Sequence, residues 1–398
     1  MSKQNKKYMP KLRFPEFLAN PGWEGLYGNQ AFEQISDKDH NSDLPILAIT
    51  QEYGAIPREM IDYNVSVSEK SVQSYKVVDV GDFVISLRSF QGGIEYSEYK
   101  GLCSPAYVIL RSKKGVDKRF FKQYFKTQSF IRDLTKNLEG LRDGKIISYK
   151  KFSEVLLPKP SLEEQRKIAD CLSSIDELIE AEAQKLDELR AHKKGLMQQL
   201  FPAASEELPK LRFPEFLNQN GWEPKTLGEV CHMQAGKFVR ASEIIHESAD
   251  GLYPCFGGNG LRGYTRTFTH VGKYSLIGRQ GALCGNVNLV SGSFHATEHA
   301  VVVTPTKSVD TDWLFYMLVN LNLNQYATGQ AQPGLSVDNL EKVALCIPCN
   351  IKEQKKIAEF LDSIKKLIDD QTEKLSFLKL YKKGLMQQLF PLMEKMGI

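Results

Sequence analysis

The chain nearly repeats itself, and no other feature constrains its fold as strongly. PKLRFPEFL begins at Pro10 and again at Pro209, and GWE at Gly22 and Gly221. EQRKIADCLSSID at Glu164 is answered by EQKKIAEFLDSIK at Glu353, and KKGLMQQLFP begins at both Lys193 and Lys382. The PKLRFPEFL motifs lie 199 residues apart, the two later pairs 189, so the ten-residue difference falls in the material between them. From Gly25 to Leu157 the first copy reads unlike the second from Lys225 to Leu345, apart from patterned apolar positions. Two alike frames hold two unlike inserts, and 398 residues suffice for more than one core.

The late part of each copy predicts a long helix. Ile168, Leu172, Ile175, Ile179, Leu186, Leu189, Leu196 and Leu200 follow a 4-3-4-3 spacing, repeated by Ile357, Leu361, Ile364, Ile368, Leu375, Leu378, Leu385 and Leu389. Both seams break at equivalent places, Glu182 with Gln371 and Lys193 with Lys382. Pro158, Pro160 and a capping Ser161 precede the first helix, Pro348 and Asn350 the second, and Pro202 and Pro391 end them. From Ser161 to Lys194 there are nine acidic and six basic residues, a net of −3; from Asn350 to Lys383 there are six and nine, a net of +3. Opposite charge favours pairing of the helices with each other, and a pseudo-two-fold repeat favours the antiparallel arrangement. Expected segments are a first domain at 8–157, a helix at 158–202, a linker at 203–208, a second domain at 209–346 and a helix at 347–391.

Bulk composition excludes several classes. An apolar fraction of 42% with 25% charged residues is that of a soluble globular protein. The basic N-terminus precedes no apolar run, and nowhere do eighteen apolar residues follow one another, so neither secretion nor a membrane is indicated and a cytoplasmic location is expected. Seven scattered cysteines fit free thiols. Cys346 and Cys349 form a CxxC with no second pair at zinc-ligand spacing, and are expected to be small buried residues leading into a helix.

The second insert carries the clearest ligand signal. Leu252 to Thr297 holds no Asp or Glu, which leaves Arg262, Arg266, Lys273 and Arg279 locally uncompensated among glycines, with Lys237, Asn259 and Gln280 nearby. Glycine loops let backbone N–H groups reach phosphates, and Arg, Asn and Gln match the donor and acceptor pattern of base edges, so these are candidate nucleic-acid contacts. Equally, the glycines serve turns of a strand-rich domain. GGNGLRG matches GxGxxG but has no acidic residue near twenty positions on, so a dinucleotide site is excluded. In the first insert the weaker counterparts are Arg58, Arg88, Ser89, Gln91 and Lys100, with Glu95 and Glu98 intervening. DKRFFKQYFKTQSFIRDL is basic and aromatic, but DWLFYMLVNL holds the same slot in copy two, which favours a packed helix over a stacking surface. A polar loop before each long helix offers Arg142 and Lys145, or Gln330 and Gln332.

No GxxxxGK[ST], HExxH or GxSxG is present, and neither an amino-methyltransferase motif nor a convincing nuclease carboxylate cluster appears. No catalytic residue and no metal ligand is assigned.

Two variable domains, each followed by a helix opening with EQ(R/K)KIA and closing with KKGLMQQLFP, resemble the specificity subunit of type I restriction-modification systems. The resemblance covers nearly the whole chain, and LLPKPSLEEQRKIADCLSSID and CIPCNIKEQKKIAEFLDSI are its specific part. It implies an α+β fold: two strand-rich target-recognition domains separated by an antiparallel coiled coil. It also implies a non-catalytic subunit that reads a bipartite, asymmetric site on double-stranded DNA. Two methyltransferase subunits and restriction/translocase subunits would be its partners, and S-adenosylmethionine, ATP and magnesium would belong to them. Met197, Phe201, Met386 and Phe390 lie off the main seam and are expected to dock the target domains or the methyltransferase partners. A different class of reading is a structural adapter that presents two ligand-binding domains without DNA.

Overall fold

A computed structural model of the chain describes residues 7–41, 43–61, 72–136, 147–203, 206–281, 283–329 and 333–393. It divides into two compact units, Met1–Glu182 with Lys374–Ile398, and Ala183–Glu373. These limits differ from the linear segments expected, because the division passes through both long helices, Leu162–Leu200 and Ile351–Leu389. Each unit owns the start of one helix and the end of the other.

Within the first unit the helix halves run antiparallel. Lys374 reaches Glu182 and Lys382 reaches Asp176, each at 2.5 Å, while Ile168, Ala169 and Leu172 share a core with Leu389 and Phe390. In the second unit Met197 and Leu200 share a core with Ile357, Ala358 and Leu361. All the seam residues are buried or half-buried, so the 4-3-4-3 pattern is the packed stripe. Its polar breaks are used: Lys193 lies 5.2 Å above the Tyr316 ring and Lys382 carries the pair with Asp176. Ser161 Oγ accepts from Glu164 N at 3.2 Å and Asn350 Oδ1 from Lys352 N at 2.9 Å, capping the two starts.

Both units share one frame. Arg13 donates to Glu164 through Nε (2.7 Å) and Nη2 (2.8 Å), and Arg212 repeats both bonds to Glu353 at the same distances. Both carboxylates are 1% exposed. The neighbouring glutamine holds the insert: Gln165 Oε1 accepts from Asp117 N, and Gln354 Oε1 from Asp310 N, each at 2.8 Å. Leu12 N donates to Gln388 O and Leu211 N to Gln199 O, so each PKLRFPEFL grips the end of the helix from the other copy. A two-stranded antiparallel pair closes each frame, Glu24–Tyr27 with Leu156–Lys159, and Trp222–Thr226 with Ala344–Pro348.

The inserts differ. In the first unit a four-stranded sheet in the order Phe32–Ile35, Val108–Ser112, Phe83–Ile85, Glu95–Tyr96 accompanies a hairpin, Leu47–Thr50 with Gly54–Pro57, and a long-range antiparallel pair, Lys76–Val78 with Gly101–Cys103. Helices Lys118–Tyr124 and Gln128–Thr135 cover it, burying Phe120, Phe121, Tyr124 and Phe130 with Phe32 and Phe83. The basic, aromatic stretch is therefore a packed helix pair. The second unit has one six-stranded sheet, ordered Cys231–Ala235, Ala300–Pro305, His270–Gly278, Val287–Ala296, Tyr253–Gly257, Gly260–Thr265. Thr311–Asn320 packs against it through Trp313, Leu314 and Met317.

Met197 (8% exposed), Phe201 (1%) and Phe390 (5%) lie inside these cores, so they hold the helix ends to the two units. Only Met386 is half-buried. Cys346 is half-buried, whereas Cys349 is exposed, contrary to expectation, with its Sγ donating to Gly221 O at 3.1 Å. Among the described residues no helix is long and apolar enough to cross a membrane.

Candidate nucleic-acid interface

In the second unit, four loops are drawn together by glycines. A Cβ on Gly258 would come within 2.7 Å of His299 O, and one on Gly278 within 2.2 Å of Gly258 O. These glycines allow backbone to meet backbone, so they build the site and do not themselves reach a ligand. A Cβ on Gly257 would lie 2.6 Å from Arg262 Cδ, so the bare glycine lets the arginine stem lie across the strand. Arg279 is locked on both sides: its N donates to His299 O (3.0 Å), its Nε to Leu335 O (3.3 Å), and its O accepts from Leu335 N (2.9 Å). Gln280 Oε1 lies 3.1 Å from His299 Nδ1.

Asn259 and Arg262 are exposed at the turn beside this junction, and Lys237 is exposed where its N donates to Ala296 O at 2.8 Å. Gly236 N donates to Ala300 O and Thr297 N to Phe256 O, so one segment, 296–300, has Lys237 on one side and Asn259, Arg279 and Gln280 on the other. The arrangement gathers donors on loops at the surface, with Gln280 and Asn259 also able to accept, which is the chemistry that reads base edges and phosphates. Glu298 is the acidic member, paired with His299 at 3.2 Å.

Two expected cations stand apart. Arg266 follows the strand Gly260–Thr265 at the end away from the turn, about 17 Å along an extended strand. Lys273 is compensated by an ion pair with Asp312 from the covering helix. Gln330 and Gln332, like Arg142 and Lys145 in the first unit, lie outside the described residues. Sequence reasoning missed Phe238, which is 72% exposed, and Arg240, also exposed; both follow Lys237, and KFVR was a readable basic-aromatic signal.

The first unit places fewer candidates together. Arg88 and Gln91 are exposed, and Gln51 Nε2 donates to Arg88 O at 3.4 Å. Burial raises the pKa of the Tyr107 phenol, and the charges of Arg58 and Arg88 oppose that rise. Ser89 does not face a ligand: it is 1% exposed and its Oγ accepts from Ser86 N at 2.9 Å, closing a turn. Lys100 pairs with Asp79 at 3.1 Å and stays exposed. Glu95 does not dilute the surface charge, because it is buried against Lys126, and burial raises its pKa.

Comparison with known proteins decides the family. The type I restriction modification DNA specificity domain matches twice, at residues 28–191 and 219–379, the two repeats.

The chain belongs to the type I restriction-modification specificity family.

The EcoprrI specificity subunit of Escherichia coli is 50% identical to this specificity subunit over 150 residues, spanning 37% of each chain. The MjaVIII specificity subunit of Methanocaldococcus jannaschii is 25% identical over 422 residues, 97% of this chain and 95% of that one. In fold, a crystal structure of a type I restriction-modification S subunit from M. genitalium is 18% identical with a TM-score of 0.60, covering 97% of this chain and all of that one. A structure described with type I complex assembly and conformational transition is 19% identical, TM-score 0.57, covering 93% and 98%. With this family, DNA sequence recognition replaces the adapter reading.

Proposed function

We propose that each unit reads one half of a bipartite, asymmetric DNA sequence, and that the length of the paired helices sets the unread spacer. The observation that carries this is the contrast between two near-identical frames and two unlike inserts, the second of which gathers Lys237, Asn259, Arg262, Arg279 and Gln280 on adjoining loops. Phosphate contacts from such residues position a protein on the duplex, and contacts to base edges specify the sequence. The chain itself is non-catalytic in this reading. Two methyltransferase subunits bind S-adenosylmethionine and methylate the site, and restriction/translocase subunits use ATP and magnesium. The assembly works in the cytoplasm.

Exchange of residues 25–157 for the insert of another family member, followed by methylome sequencing in a host supplying the methyltransferase, is the test. One half-site changes and the other persists. Loss of both, or methylation independent of this chain, removes the reading.

A further inference from the structure

The first unit contains a second charged feature beside the Arg88 turn: Lys126 in its lining donates to Gln51 O (3.5 Å) and Gly92 O (3.3 Å), and Gln51 in turn donates to Arg88 O. A cavity of about 940 Å³ opens between the N-terminal segment, the start of the helix Gln128–Thr135 and the last turns of the second long helix. Seven cations line it and no carboxylate does. Three of them are answered from outside the lining: Lys7 by Glu24, Lys126 by Glu95 and Lys382 by Asp176. Lys11, Arg132, Lys379 and Lys383 are exposed and have no acidic partner among the described residues. Among the described residues nothing relieves their repulsion.

The rest of the wall also favours an anion. Thr127 caps the helix through a bond from Phe130 N, which leaves the first-turn residues Gln128 and Ser129 facing the cavity at the positive end of the helix dipole. Met386 and Phe390 belong to the apolar part of the lining. We propose that this cavity is a phosphate-binding site, lined by none of the residues named as base-reading candidates. Phosphates of that chemistry come either from the backbone of bound DNA or from a free nucleotide. The DNA arm rests on the reading above, and the nucleotide arm does not.

The test uses the full chain with Arg132→Gln, Lys379→Gln and Lys383→Gln combined, all at exposed positions, and compares it with a control carrying Lys114→Gln, Lys150→Gln and Lys159→Gln. Binding of random-sequence duplex is measured from 50 to 200 mM salt, and binding of ATP by calorimetry. If DNA supplies the phosphates, the salt slope falls by about 0.9 for each phosphate no longer neutralised, so the affinity change over that range shrinks about 40-fold for three. The control keeps its slope. If nucleotide is the source, wild-type ATP binding disappears in the cavity variant and the DNA slope is unchanged. An equal slope in cavity and control variants, with no ATP binding by either, overturns the proposal. Wild-type protein that binds no DNA even with its methyltransferase subunits present refutes the recognition reading separately, leaving the ATP arm to decide the cavity. Loss only of assembly with a methyltransferase subunit, with both binding readouts intact, gives the cavity to an acidic protein segment and also overturns it.

Discussion

The two units use the same frame to hold cores of different construction. Arg13–Glu164 and Arg212–Glu353 match at 2.7 and 2.8 Å, yet one insert is an aromatic core under two helices and the other a six-stranded sheet. The frame depends on a few buried polar contacts placed at a helix start. The insert needs only to bury apolar surface against that frame, so its own architecture is free to vary, as recognition of two different half-sites requires.

The largest expected effects test whether the frames are energetically equal. Removing one member of a buried bidentate pair strands its partner, so Arg13→Ala and Arg212→Ala should each cost about 3–5 kcal/mol in urea unfolding. Trp222 Nε1 also donates to Glu353 Oε1 (3.1 Å), whereas Trp23 Nε1 has no acceptor among the described residues. Glu353→Ala should therefore exceed Glu164→Ala by roughly 1 kcal/mol, one hydrogen bond's worth. Equal losses would show that the extra bond contributes nothing.

Phe201→Ala and Phe390→Ala come next, at about 3 kcal/mol or more each, since both rings lie in cores. Each should loosen the unit that receives the helix end, read by amide exchange. Loosening of the unit that starts the helix would contradict the exchange of ends.

At the interface, Arg262→Ala or Arg279→Ala should weaken DNA binding by about 1–3 kcal/mol, and Arg266→Ala by much less. Equal losses at all three would dissolve the cluster around Gly258 and restore a diffuse basic surface.

Acidity should act oppositely on the two inserts. Burial lowers the pKa of His270, helped by Lys237 and His295, so its contribution is full above the ordinary value near 6.5 and is lost as pH falls through its depressed folded value. Glu95 has a raised pKa, so its contribution is full below the ordinary 4.5 and is lost as pH rises through its higher folded value. Glu95→Gln and His270→Gln should each flatten the slope of stability against pH in their own range.

The smallest effect concerns Gly195 and Gly384, where a Cβ meets nothing within 4 Å. Alanine there should stabilise each helix by about 0.5–1 kcal/mol. Weakened assembly with the methyltransferase, alongside that gain, would show that the open space admits a partner.

Much of this organisation was legible in the chain. Periodicity is a local property, so the seam from Ile168 to Leu200 and its echo from Ile357 to Leu389 could be read directly, with their caps and their opposite net charges. Ser89 was placed among the DNA contacts because its burial is set by packing that the local pattern does not carry. Phe238 and Arg240 carried a readable basic-aromatic signal in KFVR, but their exposure, which separates them from packed residues of the same kinds, has no periodic signature.

The sequence by itself determined that there are two copies, where each helix begins and ends, and that the inserts differ. Only the tertiary structure decided why KKGLMQQLFP occurs twice: each copy completes the core of the unit that begins the other helix, Phe201 with Trp313 and Phe390 with Phe120. An antiparallel pair puts a helix end beside its partner's start. That exchange is a fact of three-dimensional pairing, which the linear order of motifs leaves undetermined.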